Sequence, residues 1–230
     1  MPRSNPNSKS PNPAKRFFQW DGSKGDIKFY NKETQTEQRI ELPFEFILLD
    51  RLCVIKGWHQ ASESGIYSNE VRFTADEPFT VRAFKMKDVI ARGIYADIKN
   101  EIKAEGARFN INLYIAYTDN IGVMTIGALT LHGSPMSAWI ELEGKAKKSL
   151  FEKGIIITGK EEGKKGGVTF QKPVFELVDI PPALDDQAEE LQKELQQYLQ
   201  KYLARKQDDK SEEDYSQVRP NEEEEDEIPF

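Results

Sequence analysis

A mainly β fold is predicted by three features of this 230-residue chain. Between Phe17 and Phe175, β-branched and aromatic residues recur in short runs separated by turn signals, the pattern of successive strands. One helical stripe interrupts those runs and another follows them, each with apolar residues on a single face. The proline-, serine- and asparagine-rich start and the acid-rich end lack the apolar residues that a core needs.

Each element rests on a local signal. Strands are expected at 27–31 (IKFYN), 44–58 (FEFILLDRLCVIKGW), 66–74 (IYSNEVRFT) and 78–84 (PFTVRAF), the last two parted by the turn Asp76-Glu77-Pro78. From Asp88 to Glu105, Ile90, Ile94, Ile98 and Ile102 recur every four residues, and Gly106 stands where a glycine stops a helix. Strands at 107–117 (ARFNINLYIAY) and 121–131 (IGVMTIGALTL) form a hairpin across Thr118-Asp119-Asn120. Ser134-Pro135 opens a short helix toward Lys148, and strands near 154–159 and 168–178 flank the loop EEGKKGG. Leu184, Ala188, Leu191, Leu195, Leu199 and Tyr202 mark a final helix. Docking on the same chain and pairing with a second chain both satisfy its stripe, so a homo-oligomer is open.

Counted from 44–58, three strands, a helix and two strands follow the order of an OB-fold, a five-stranded barrel whose outer face commonly binds oligonucleotides. The expectation is an elaborated OB-fold, with the helix between strands 3 and 4 and extra C-terminal strands and a helix. Its parts are a disordered basic arm (1–16), a single-strand-binding domain (17–182), a helix (183–206) and a disordered acidic tail (207–230).

Charge is unevenly placed. Residues 207–230 hold eleven acids against Lys210 and Arg219, a net of −9; residues 183–206 contribute −1, which leaves +3 on residues 1–182 of a chain whose total is −7. A mildly basic body with an acidic tail suits a protein that meets nucleic acid. No apolar run approaches the length of a membrane span, and the basic N-terminus lacks the apolar stretch of a signal peptide. Cys53 is the single cysteine, which fits a reducing cytoplasm.

Catalytic signals are weak. There is no glycine-rich phosphate loop, paired-histidine motif or nucleophile elbow, and the lysine-glycine run at 163–167 lacks P-loop spacing. His59 and His132 stand far apart, and the acids are scattered. No catalytic residue, metal or cofactor is expected. A metal-dependent enzyme of nucleic acids would need carboxylates converging on a metal.

Binding signals are stronger. Strand alternation puts Arg108, Asn110, Asn112 and Tyr114 on the face opposite Phe109, Ile111, Leu113 and Ile115. The same parity pairs Arg82 with Phe84, Lys28 with Tyr30, and Lys56 with Trp58 beside a glycine that admits close approach of a ligand. Cations that track phosphates, interleaved with rings that stack on any base, are the chemistry of a single-strand binder. Such a platform serves RNA as well as DNA.

The chain ends NEEEEDEIPF, six acids followed by an apolar tip. An Ile-Pro-Phe end on a solvated acidic run fits a partner offering a pocket for the ring and a cation for the α-carboxylate. Asp226-Glu227-Ile228-Pro229-Phe230 resembles the acidic tip of bacterial single-stranded DNA-binding proteins, which ends Asp-Ile-Pro-Phe; Glu227 replaces the aspartate. The segments GWHQASESGIYSNEV and GIYADIKNEIKAEGARF make the body similar to phage-encoded single-stranded DNA-binding proteins with an OB-fold. The resemblance implies a protein that coats single strands in replication, recombination and repair and recruits enzymes through its tip.

Overall fold

The computed structural model describes residues 11–32, 34–86 and 88–204. In chain order these form β1 (Arg16–Asp21), β2 (Asp26–Asn31), β3 (Thr36–Ile40), β4 (Phe44–His59), β5 (Ser64–Ser68), β6 (Phe79–Ala83) and β7 (Val89–Gly93). There follow α1 (Tyr95–Ala104), β8 (Ala107–Thr118), β9 (Met124–Leu131), α2 (Gly133–Ala146), β10 (Gly154–Lys165), β11 (Val168–Val178) and α3 (Pro182–Ala204). The fold is mainly β. Its sheet is open and mixed, ordered β3-β2-β1-β9-β8-β4-β5-β6-β7, with β10 joined to β4 at Phe44–Phe46 and β11 paired to β10.

β8 and β9 form the hairpin expected from the sequence, while β4 pairs with β5 and β8, and β5 with β6. Closure differs from the expected barrel, because β9 takes β1 as its second neighbour, in parallel, and the sheet ends at β3 and β7. The residues RFFQWD build β1, an unforeseen strand whose Phe18 and Trp20 are buried.

Alternation divides the sheet into two faces. The inner face gathers Phe18, Phe29, Phe44, Leu113, Ile115 and Leu129 with Trp139 of α2 and Ile155 and Ile157 of β10. Toward β7 it packs Ile55, Val81 and Phe79 against Ile98 and Ile102 of α1. The outer face carries a third cluster, where Leu52, Tyr114, Ala116 and Ala128 meet Ala188, Leu195, Tyr198 and Leu199 of α3. The final helix therefore docks on its own chain; each buried leucine of its stripe contributes about 1.5–3 kcal/mol.

Several expectations need correction. The helix expected over 88–105 starts only at Tyr95, because Val89–Gly93 pairs with β6 as β7. The β-branched pair Val89-Ile90 suits an edge strand as well as a helix. The strand expected over 66–74 ends at Ser68, where the Asn69 side chain takes over: Thr80 N donates to its Oδ1 at 2.6 Å and its Nδ2 donates to Pro78 O at 3.1 Å. Only a bridge at Val71 to Cys53 continues the pairing. Much of the loop expected at EEGKKGG is ribbon, with the reversal at Gly166-Gly167, both at positive φ.

The described part of the expected basic arm is docked rather than free. Ala14 is buried and Lys15 N donates to Ile126 O at 2.7 Å, which aligns Arg16 for β1. The tail expected over 207–230, with Asp226, Glu227, Ile228, Pro229 and Phe230, lies outside the described residues. No helix among the described residues is long and apolar enough to cross a membrane.

Candidate nucleic-acid interface

Strand register puts all eight sequence-predicted binding residues on the outer face. Arg108 lies opposite Lys56, Lys56 opposite Tyr67, and Tyr67 opposite Arg82, so β8, β4, β5 and β6 present one lateral row. Directly paired residues project to the same side of a sheet, which makes this row three cations and a tyrosine. One pleat further on, Trp58 faces Gly65, and Phe84 N donates to Gly65 O at 3.0 Å. The Phe84 ring stacks on Tyr67 with centroids 4.6 Å apart, leaving Phe84 37% exposed. Arg108 is exposed, and Trp58, Tyr67 and Arg82 are half-buried.

Tyr67 joins the row from a strand that supplies none of the residues expected from the sequence. Its alternation with the buried Ile66 was the available signal.

The remaining predicted residues share the face but not the surroundings. Lys28 is buried in β2, and its Nζ pairs with Glu37 at 3.4 Å. Glu37 belongs to β3, a strand absent from the sequence reading. Tyr30 is exposed near the β3 edge, away from the row. Tyr114 is 1% exposed and lies under α3, which removes it from any stacking platform: its hydroxyl donates to Glu70 Oε2 at 2.8 Å. Six residues thus gather in one place: Arg108, Lys56, Arg82, Trp58, Phe84 and Tyr67.

Lys56 links the exposed row to the buried part of the face. Its Nζ donates to Thr130 Oγ1 at 3.0 Å, Thr130 Oγ1 donates to Asn112 Oδ1 at 3.1 Å, and Asn112 Nδ2 donates to Glu70 Oε1 at 2.6 Å. Burial lowers the Lys56 pKa, and the Glu70 charge opposes that shift. The ammonium thereby reaches across β8 to β9 instead of ranging through solvent.

Two features fix where Trp58 stands. A Cβ on Gly57 would lie 2.3 Å from Gly106 O, so only glycine lets the start of β8 pass there. The close approach foreseen at this glycine is made by the chain's own backbone, not by a ligand. Next to Trp58, the imidazole of His59 contacts Ser62 Oγ at 2.7 Å through Nδ1 and Glu105 Oε2 at 3.0 Å through Nε2. This braces the β4–β5 connection against the end of α1.

Among the described residues, no group of three or more His, Cys, Asp and Glu side chains is placed to hold a metal. No protein family matches the chain, and comparisons with curated proteins and with solved structures find no match.

Proposed function

We propose that this protein binds single-stranded DNA without strong sequence preference, on the OB-like outer face of β8-β4-β5-β6. The observation that carries the reading is the row Arg108, Lys56, Tyr67, Arg82 with Trp58 and Phe84 one pleat away. Arg108 and Arg82 at the two ends of the row meet phosphates, with Lys56 adding positive charge between them, while rings standing off the same sheet accept bases of any identity. The acidic tail and its Ile-Pro-Phe tip supply a docking peptide for replication and recombination enzymes, as the resemblance to single-stranded DNA-binding proteins implies.

The test is fluorescence anisotropy of a labelled oligothymidine with the full chain. Trp58→Ala and Tyr67→Ala each cost about 1–3 kcal/mol of affinity. Affinity falls with salt at a log–log slope of about −0.7 per phosphate contacted, and Arg108→Ala makes that slope shallower by about one contact. Duplex preferred over single strand, affinity flat in salt, or RNA outcompeting DNA of the same sequence would each overturn the reading.

A further inference from the structure

The end of the sheet remote from this row holds a cavity with an apolar knob beside it. The cavity, about 590 Å3, opens among the starts of β1, β4 and α3 and the ends of β3 and β8, and Phe29, Phe44, Phe46, Met124 and Leu184 line it. Next to it the β8–β9 turn projects Ile121 and Val123, which are 82% and 53% exposed. The turn is braced. Ile121 N and Val123 N both donate to Asp119 Oδ1 at 3.0 Å, and Gly122 N donates to Asp119 O at 3.1 Å. Two β-branched apolar side chains held rigidly in water contribute nothing to this chain's own core, and such exposure marks an interaction site.

Knob and cavity share Asp119 and Asn120, so they form one continuous patch. A patch with a projection beside a recess is self-complementary: a two-fold rotation sets each projection against the other copy's recess, which is an isologous contact. Charge agrees with that rotation. On the knob side stand the exposed Lys15 and the half-buried Arg16, whose Nη2 donates to Asn120 Oδ1 at 2.8 Å. Among the residues that line the cavity, Glu41 and Glu45 are exposed, whereas Arg39 is half-buried and paired with Asp21. The rotation brings the bases of one copy toward the acids of the other, twice.

We propose that two copies of this chain associate through this patch, with Ile121 and Val123 of each seated in the other's cavity. The inference does not rest on strand binding, because the patch lies at the Phe44 end of β4 and the basic row at its Lys56 end. Association through the patch leaves the row of each copy uncovered.

Sedimentation velocity of the full chain over a range of concentrations tests it. Wild type sediments at twice the chain mass. The double variant Ile121→Asp, Val123→Asp sediments at one chain mass with an unchanged melting temperature, since both residues face solvent in the single chain. Its dissociation constant rises about thirtyfold or more, as for a central interface contact. Glu45→Lys alone weakens the dimer and added Lys15→Glu restores it. Wild type at one chain mass throughout, a double variant still at twice that mass, or a dimer formed only after removal of residues 205–230 would overturn the proposal. The last result would assign the cavity to the chain's own C-terminal segment. Oligothymidine binding per chain by the double variant is measured in parallel, so loss of strand binding and loss of the dimer are read separately.

Discussion

Deleting one oxygen atom from Tyr114 tests how the outer face is divided. The ring is 1% exposed, and its hydroxyl donates to Glu70 Oε2 at 2.8 Å; Glu70 is itself only 8% exposed. Burial, then the charge of Glu70, pushes the phenol well above its ordinary pKa, so it remains a donor across the neutral range. Tyr114→Phe keeps the ring and removes the donor, leaving Asn112 as the remaining side-chain partner of a buried carboxylate. A hydrogen bond to a charged group contributes about 1.5–3 kcal/mol, and the variant loses that much stability. With a urea dependence of about 1–3 kcal/mol per molar, the denaturation midpoint falls by roughly 1 M. Oligothymidine affinity, measured without denaturant, stays at the wild-type value because the ring never reaches the strand. An unchanged midpoint, or weakened binding at full stability, would refute the placement of Tyr114 beneath α3.

Two other outcomes follow from charge. Burial acts to raise the Asp21 pKa, but the Ser23 hydroxyl, Arg39 at 2.8 Å and the backbone N–H groups of Lys24 and Ser23 hold it well below the carboxylate range. A folded pKa below the unfolded value, about 3.9, gives stability that is full above that value and lost as pH falls through the folded pKa. Asp21→Asn is therefore less stable than wild type at neutral pH, and urea midpoints show the gap narrowing as pH drops below about 4. Deleting residues 207–230 removes nine net negative charges, so DNA affinity rises, most at low salt. Removing Phe230 alone leaves the acidic side chains and the affinity in place, and a pull-down shows replication or recombination partners lost.

Parity was legible in the sequence; cover was not. Alternation identified the outward side for Lys28, Tyr30, Arg82, Phe84, Arg108 and Tyr114, because one face of those strands is plainly apolar, whereas for Lys56 and Trp58 on β4, apolar on both faces, it gave only a shared parity. What lies over an outward residue depends on elements distant in the chain. Tyr114 is covered by a helix that starts nearly seventy residues later, and Lys28 is neutralised by a strand, TEQRI, with too few apolar residues to stand out. The helix at 88–105 was overextended for a related reason. Ile90 and Ile94 satisfy a four-residue period, yet β6 offered an open edge that Val89–Gly93 could pair with, and pairing prevailed over periodicity.

The same reasoning explains how one face is divided between a half covered by α3 and the half proposed to bind strands. Along β8 the outward residues run Arg108, Asn110, Asn112, Tyr114 and Ala116, from exposed cation through buried amides to ring and methyl. The gradient matches the reach of α3, whose Leu195, Tyr198 and Leu199 pack over the apolar end. Tyr202, near its last turn, stands at the border, where its hydroxyl accepts a hydrogen bond from Glu70 N at 3.2 Å. Glu70 in turn receives the hydrogen-bond chain that begins at Lys56. The helix that seals half of the face therefore also fixes the carboxylate against which the nearest cation of the exposed half is oriented. Loosening α3 at Tyr202 disturbs the basic row without touching it, while shortening the row leaves the α3 contacts intact. The helix contacts and the hydrogen-bond chain from the proposed binding row thus meet at Glu70.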